Sequence, residues 1–233
     1  MRTVIDPVVR SPNPVTLVGG GQALPEDFHA ALRVAPICVA ADGGAALAVA
    51  AGVTPAAVIG DFDSLPAEIE AALSASTLYK VAEQDSTDFE KALIRIDAPL
   101  VVGVGFLGGR VDHQLGALHV LLALADRPVL LVAPQELIFL APPRIELPTK
   151  AGDVVSLFPL TSVTAKSEGL RWALDGLGFA PGVQSGTSNV ATGPVTVVPS
   201  NPGMVMIVPR RLLRPVAAAL ALPEAARWPA RAG

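Results

Sequence analysis

Between Val15 and about Leu140, short apolar runs alternate with longer stretches rich in Ala and Leu, and glycine-rich or acidic turns separate them. A short apolar run bounded by turn residues reads as a buried strand, and an apolar stretch of ten or so residues reads as a helix. The pattern predicts strands over Val15–Val18, Ile37–Ala41, Ala57–Ile59, Leu78–Val81, Leu100–Val104 and Val129–Val132. Helices are predicted over Gly43–Ala51, Asp88–Ile96 and Asp112–Ala125. The first carries no charge and is expected to be well buried. The last repeats Leu115, Leu118, Leu122 and Ala125 at helical spacing, which predicts its core face. Strands alternating with helices imply an α/β domain over 15–142 with a mostly parallel, Rossmann-like sheet.

Beyond Pro142 the spacing shortens. Val154–Phe158, Val163–Ser167, Leu170–Ala173, Val195–Val198 and Val205–Val208 are strand-like, punctuated by Pro and Gly, and no helical period returns before residue 211. A smaller all-β sandwich over 143–211 is expected, with the seam at Pro142–Leu147. Residues 1–14 form an extension, and 212–233 a tail whose apolar segment Val216–Leu222 suggests a short helix.

With 51% hydrophobic and 16% charged residues, the 233-residue chain can bury a sizeable core. A net charge of −4 and the lack of any basic run argue against a nucleic-acid surface, which needs clustered Lys and Arg. The apolar stretches near 115–125 and 129–133 are interrupted by His119, Asp126, Arg127 and Pro128, so no membrane span is expected. The single Cys38 lies in an apolar run and reads as a buried small hydrophobe, consistent with a cytoplasmic setting. A small molecule is the expected partner.

Four acidic or glycine-rich motifs follow the predicted strands or open the predicted helices, so a parallel sheet would gather them along one edge. Gly60-Asp61-Phe62-Asp63-Ser64 offers carboxylates at i and i+2, which in an extended chain project to one side as a hard cation requires; the same residues also suit a solvated turn. Gln84-Asp85-Ser86-Thr87-Asp88 opens a helix, with Thr87 and Glu90 as a capping box and Asp88 one turn from Lys91. That helix start is a natural anion site, although acidic residues also crowd first turns to suit the helix dipole. In Gly108-Gly109-Arg110-Val111-Asp112-His113 a glycine pair lets backbone approach a phosphate and Arg110 supplies a planar cationic fork; alternatively Arg110 and Asp112 pair on the surface. Asp42-Gly43-Gly44 is a strand-to-helix turn with Asp42 as N-cap, unless a ligand sits beside it. Gly19-Gly20-Gly21 can present backbone N–H groups but lacks dinucleotide-binding spacing. His113 and His119 are six apart, which is wrong for a zinc pair on one helical turn. Together the set supplies carboxylates for Mg²⁺, cations for phosphate oxygens and flexible turns, as phosphoryl-type transfer needs.

Taken in order, these motifs, with Gly169-Leu170-Arg171-Trp172-Ala173-Leu174 and Ser188-Asn189 in the β-rich half, resemble the thiamine pyrophosphokinase family. The resemblance implies transfer of diphosphate from ATP to thiamine with release of AMP, and a homodimer sharing its active sites. It implies Asp61, Asp63, Asp88 and Asp112 as magnesium and catalytic carboxylates, with Arg110 and Lys91 near the phosphates. Asp42, Gly43, Gly44, Ser64, Gln84, Thr87, Gly108, Gly109 and His113 would line the cleft for the two substrates. Ser188 and Asn189 would approach thiamine, from the partner subunit. The competing readings are a diphosphotransferase acting on a hydroxymethylpterin, a glycosyltransferase using Asp61-Phe62-Asp63 as its D-x-D metal site, and a non-catalytic sensor of thiamine or nucleotide.

Overall fold

The computed structural model describes residues 5–83, 85–222 and 227–230. They fall into two compact units: the first runs up to Val120 and includes Leu131–Pro134, and the second takes Leu121–Leu130 and the chain from Gln135 onward.

In the first unit the elements follow as β1 (Val9–Arg10), β2 (Val15–Val18), α1 (Pro25–Leu32), β3 (Ile37–Ala41), α2 (Gly44–Ala50), β4 (Ala57–Gly60), α3 (Ala67–Ala72), β5 (Leu78–Lys80), α4 (Asp88–Leu93), β6 (Ile96–Asp97) and β7 (Val101–Val104). Strands β7, β2, β3, β4 and β5 pair in that order, all parallel. Every residue of β2, β4 and β7 is buried, which is why these strands read as unbroken apolar runs. After β5 the chain crosses to the far side of β2 to form β7, so the chain leaves the adjacent strands β2 and β7 in opposite directions along the sheet. Such a reversal of strand order opens a crevice at the carboxyl edge.

Three helical expectations need revision. Helix α4 stops at Leu93, because Ile96 has turned into β6, where Ile96 and Asp97 pair in parallel with Val9 and Arg10 of the extension. At six residues it is too short to count as an anion site by its dipole, and Asp88 already occupies its first turn. Helix α5 (Val111–Ala123) buries Ala117, Val120, Leu121 and Leu124 beside it rather than the predicted face. Leu115 is 62% and Val111 68% exposed. The helix is apolar on most of its circumference, so periodicity alone did not distinguish the two faces. The sequence pattern also passed over α1, which begins at Pro25 and is capped by Asp27 accepting the Leu24 N–H at 3.1 Å, and over α3.

After β8 (Val129–Val132) come β9 (Glu136–Leu140), β10 (Ile145–Leu147), β11 (Val154–Pro159), β12 (Val163–Leu170), β13 (Gly178–Phe179), β14 (Gly186–Pro199), β15 (Met204–Pro209) and α6 (Leu213–Ala221). In the second unit β9, β15, β11, β14, β12 and β13 pair antiparallel in that order, and β10 also pairs β14. Leu170–Ala173 is not a separate strand. Leu170 ends β12 after a glycine at φ 76°, and the chain then turns. Val195–Val198 belongs to the 14-residue β14. Helix α6 buries Leu213, Val216, Ala217 and Leu220, an i, i+3, i+4, i+7 stripe, as the tail's apolar segment predicts.

Candidate active site

Loops at the carboxyl ends of β2, β3, β4 and β7, with the start of α4, line a cleft of about 830 Å³ in the first unit. Close packing of bare backbone shapes it. A Cβ on Gly21 would come within 2.5 Å of the Gly105 carbonyl oxygen, and one on Gly43 within 2.9 Å of the Ser64 carbonyl oxygen. The N–H groups of Gly19 and Gly21 donate to Val104 O and Gly105 O at 2.8 and 3.0 Å. These two glycines therefore bind the loops together and have no N–H to spare for a phosphate.

Asp42 directly follows β3 in the left-handed region, at φ 43°, a conformation that Asp tolerates better than most residues. It does not cap α2; the N-cap is Gly43, with no side-chain bond. Its side chain is 2% exposed, and Oδ2 accepts the Ser64 N–H at 3.2 Å. Gly60 makes room for it, since a Cβ there would lie 2.8 Å from Asp42 Cβ. Oδ1 is buried without a hydrogen-bond partner among the described residues. Burial pushes the Asp42 carboxyl up to about 6, the Ser64 N–H opposes this, and Asp88, Asp63 and Asp61 add to the rise.

Phe62 also adopts positive φ, 69°, which is costly for a bulky residue and breaks the extended geometry expected of Asp61-Phe62-Asp63. The two carboxylates consequently take different partners. Asp61 turns inward to accept a hydrogen bond from Lys91 Nζ at 2.8 Å, whereas Asp63 takes one from Ser64 Oγ at 2.9 Å in an exposed position on the cleft. Lys91 also donates to Asp88 at 3.3 Å, across one turn of α4 as its spacing predicts. Burial opposes the Lys91 charge, but the Asp61 and Asp88 carboxylates outweigh it and raise the ammonium above its ordinary pKa. Burial raises Asp88 as well, despite Lys91. Thr87 Oγ1 caps α4 by accepting the Glu90 N–H, and the Glu83 carboxylate accepts the N–H groups of Asp85 and Ser86, tying down the approach to the helix.

Carboxylate oxygens of Asp42, Asp61 and Asp88 lie within 4.8 Å of one another. Three hard oxygen donors, one of them buried with an unsatisfied lone-pair atom, fit a divalent cation such as Mg²⁺. The trio differs from the set expected from sequence: Asp42 joins Asp61 and Asp88, Asp63 stands close by against Asp42, and Asp112 is not part of the group. Asp112 instead sits at the exposed start of α5, bound twice by Arg110 at 3.1 and 2.5 Å and accepting the His113 N–H at 3.0 Å. The hydrogen bond from Arg110 holds its carboxyl down to about 2. Gly43, Ser64, Thr87, Gly108, Gly109, Arg110 and His113 all line the cleft, as do Phe89 and Phe106, which the sequence reading overlooked. Gly44 opens α2 directly behind Gly43. Ser188 and Asn189 lie on β14 in the second unit, where buried Asn189 hydrogen-bonds both the N–H and the carbonyl of Trp172. Gln84 lies outside the described residues.

A family model described as the catalytic domain of thiamin pyrophosphokinase matches residues 28–132. The chain is similar to thiamine pyrophosphokinase 1 of Oryza sativa subsp. japonica, 28% identical over 177 residues and 67% of each chain. It is also similar to thiamine pyrophosphokinase 1 of Arabidopsis thaliana, 28% identical over 208 residues, 75% of this chain and 78% of the other. The crystal structure of thiamin pyrophosphokinase from Geobacillus thermodenitrificans matches with a TM-score of 0.69 at 28% identity, covering 84% of this chain and 96% of that one.

Proposed function

Because this chain belongs to the thiamin pyrophosphokinase family, we propose that it is a thiamine diphosphokinase that moves the terminal diphosphate of ATP onto the hydroxyl of thiamine. The thiamine hydroxyl gives up its proton to a cleft carboxylate or to water, its oxygen forms a bond to the β-phosphorus, the bond from that phosphorus to the oxygen of the α-phosphate breaks, and AMP departs. The observation that carries this reading within the molecule is the carboxylate trio with its unsatisfied Asp42 oxygen. Asp42, Asp61 and Asp88 would hold Mg²⁺, which when bound neutralises phosphate charge and orients the transferred group. Lys91 bridges Asp61 and Asp88 and offsets their negative charge. Arg110, on the rim of the cleft, is the cation available to phosphate oxygens once it exchanges its exposed Asp112 partner.

The D-x-D glycosyltransferase reading leaves Asp42 and Asp88, which stand with Asp61, unexplained and gains no support from the relatives. The hydroxymethylpterin reading gains no support from the relatives. The parallel sheet of the first unit reads as Rossmann-like and the antiparallel second unit as a β-sandwich. No helix among the described residues is long and apolar enough to cross a membrane. We extend the reading to a cytoplasmic homodimer; the free, buried Cys38 and the exposed apolar side of α5 at Val111 and Leu115 support it.

The test is AMP release from ATP and Mg²⁺ by the purified chain, with and without thiamine, with mass detection of thiamine diphosphate. Thiamine-dependent AMP with matching product is expected. AMP formed without thiamine turnover, or no AMP at all, would overturn the assignment.

A further inference from the structure

One wall of the cleft is unlike the rest. Among the described lining residues Phe89 and Phe106 are the aromatic side chains, and they touch each other, with ring centroids 4.4 Å apart and planes tilted by 41°. Phe89 is 4% exposed and serves as backing, while Phe106 is partly buried and lines the cleft. Glycines fix the position of the Phe106 ring: a Cβ on Gly19 would come within 2.5 Å of it and one on Gly103 within 3.2 Å. The ring lies across bare backbone, held between Gly19, Gly103 and Phe89. Phe106 lines the same cleft as Asp42, Asp61 and Asp88, and its ring partner Phe89 directly follows Asp88 in the chain.

We propose that Phe106 is the platform for the thiazolium ring of thiamine and that it sets affinity for the acceptor rather than for ATP. The proposal rests on the thiamine diphosphokinase reading of the same cleft. Its basis is reach. The attacking hydroxyl is joined to the thiazolium by only a short ethyl arm, whereas ribose and the α-phosphate separate adenine from the β-phosphorus. A plate in the cleft of the carboxylates that would hold the transferred diphosphate therefore suits the acceptor ring, with the adenine farther from the β-phosphorus. The thiazolium carries a permanent positive charge, so it gains both from the electron-rich ring face and from the nearby carboxylates.

Phe106→Leu keeps most of the volume against Gly19 and Gly103 and removes the aromatic face; Phe106→Tyr restores the face. Calorimetric titration of the full chain with thiamine alone, together with separate KM values for thiamine and ATP, reads the effect. For Phe106→Leu the thiamine dissociation constant and KM are expected to rise about three- to thirtyfold, the ATP KM to stay within about twofold, and Phe106→Tyr to recover wild-type thiamine affinity. Unchanged thiamine affinity in a folded Phe106→Leu protein would overturn the proposal, as would a rise confined to the ATP KM, which would put adenine on the plate. A wild-type protein that binds thiamine but makes no thiamine diphosphate would overturn the activity while the titration still decides the platform.

Discussion

Replacing Asp42 by Asn should stabilise the metal-free protein while abolishing its response to metal, a combination that separates a ligand from a structural residue. The structure supplies the magnitude. The Asp42 carboxyl is raised from 3.8 to about 6, so holding it ionised in the fold at pH 7.5 costs about 3 kcal/mol relative to the unfolded chain. Asn keeps an oxygen to accept the Ser64 N–H and presents an amide N–H toward Asp61 and Asp88, where Oδ1 now lies unpartnered. Allowing for imperfect amide geometry, we expect a gain of about 1–3 kcal/mol, or about 3–8 °C in the melting temperature. The pH dependence has a definite sign. A carboxyl raised in the folded state contributes stability that is complete below its unfolded pKa and is lost as pH rises through the folded value. The gap between variant and wild type therefore opens between about pH 4 and pH 6 and is absent below it. Adding Mg²⁺ at a hundredfold excess over its dissociation constant should raise wild-type stability by about 2.7 kcal/mol and leave Asp42→Asn nearly unmoved. Differential scanning fluorimetry with EDTA or Mg²⁺ across this pH range measures all three. A metal-free variant less stable than wild type, or one with an undiminished Mg²⁺ shift, refutes the reasoning.

Lys91→Met removes the buried cation between Asp61 and Asp88, and is expected to destabilise the metal-free protein by about 3–5 kcal/mol, with Mg²⁺ recovering part of the loss; urea melts with and without metal check this. Asp61→Asn is expected to lower turnover about a hundredfold or more, whereas Asp112→Asn, which only frees Arg110 at the surface, should keep the full Mg²⁺-induced thermal shift. Loss of that shift in Asp112→Asn would return Asp112 to the metal site. Burial pushes the Cys38 thiol up to about 12, so a thiol-specific disulfide reagent at pH 8 should label it only as the chain unfolds.

Much of this protein is local in origin. The buried strands β2, β4 and β7 announce themselves as continuous apolar runs because both of their faces are covered, and Thr87 caps α4 through a bond to the nearby Glu90 N–H. The pairing of Asp88 with Lys91 is equally local, because one helical turn imposes it. The motifs' gathering at one edge also follows from chain order, since parallel strands joined by helices deliver their following turns to the same side. Tertiary structure decided the rest. Helix α5 is apolar around most of its surface, so only its neighbours select Ala117, Val120 and Leu121 as the inner face and leave Leu115 outside. Membership of the acidic trio turns on positive φ at Asp42 and Phe62 and on the space left by Gly60, which together bring Asp42 to Asp61 and turn Asp63 toward Ser64 rather than Lys91. Motif spacing records which carboxylates a chain possesses; their convergence depends on backbone torsions and close approaches between segments distant in sequence, and no local pattern encodes those distances.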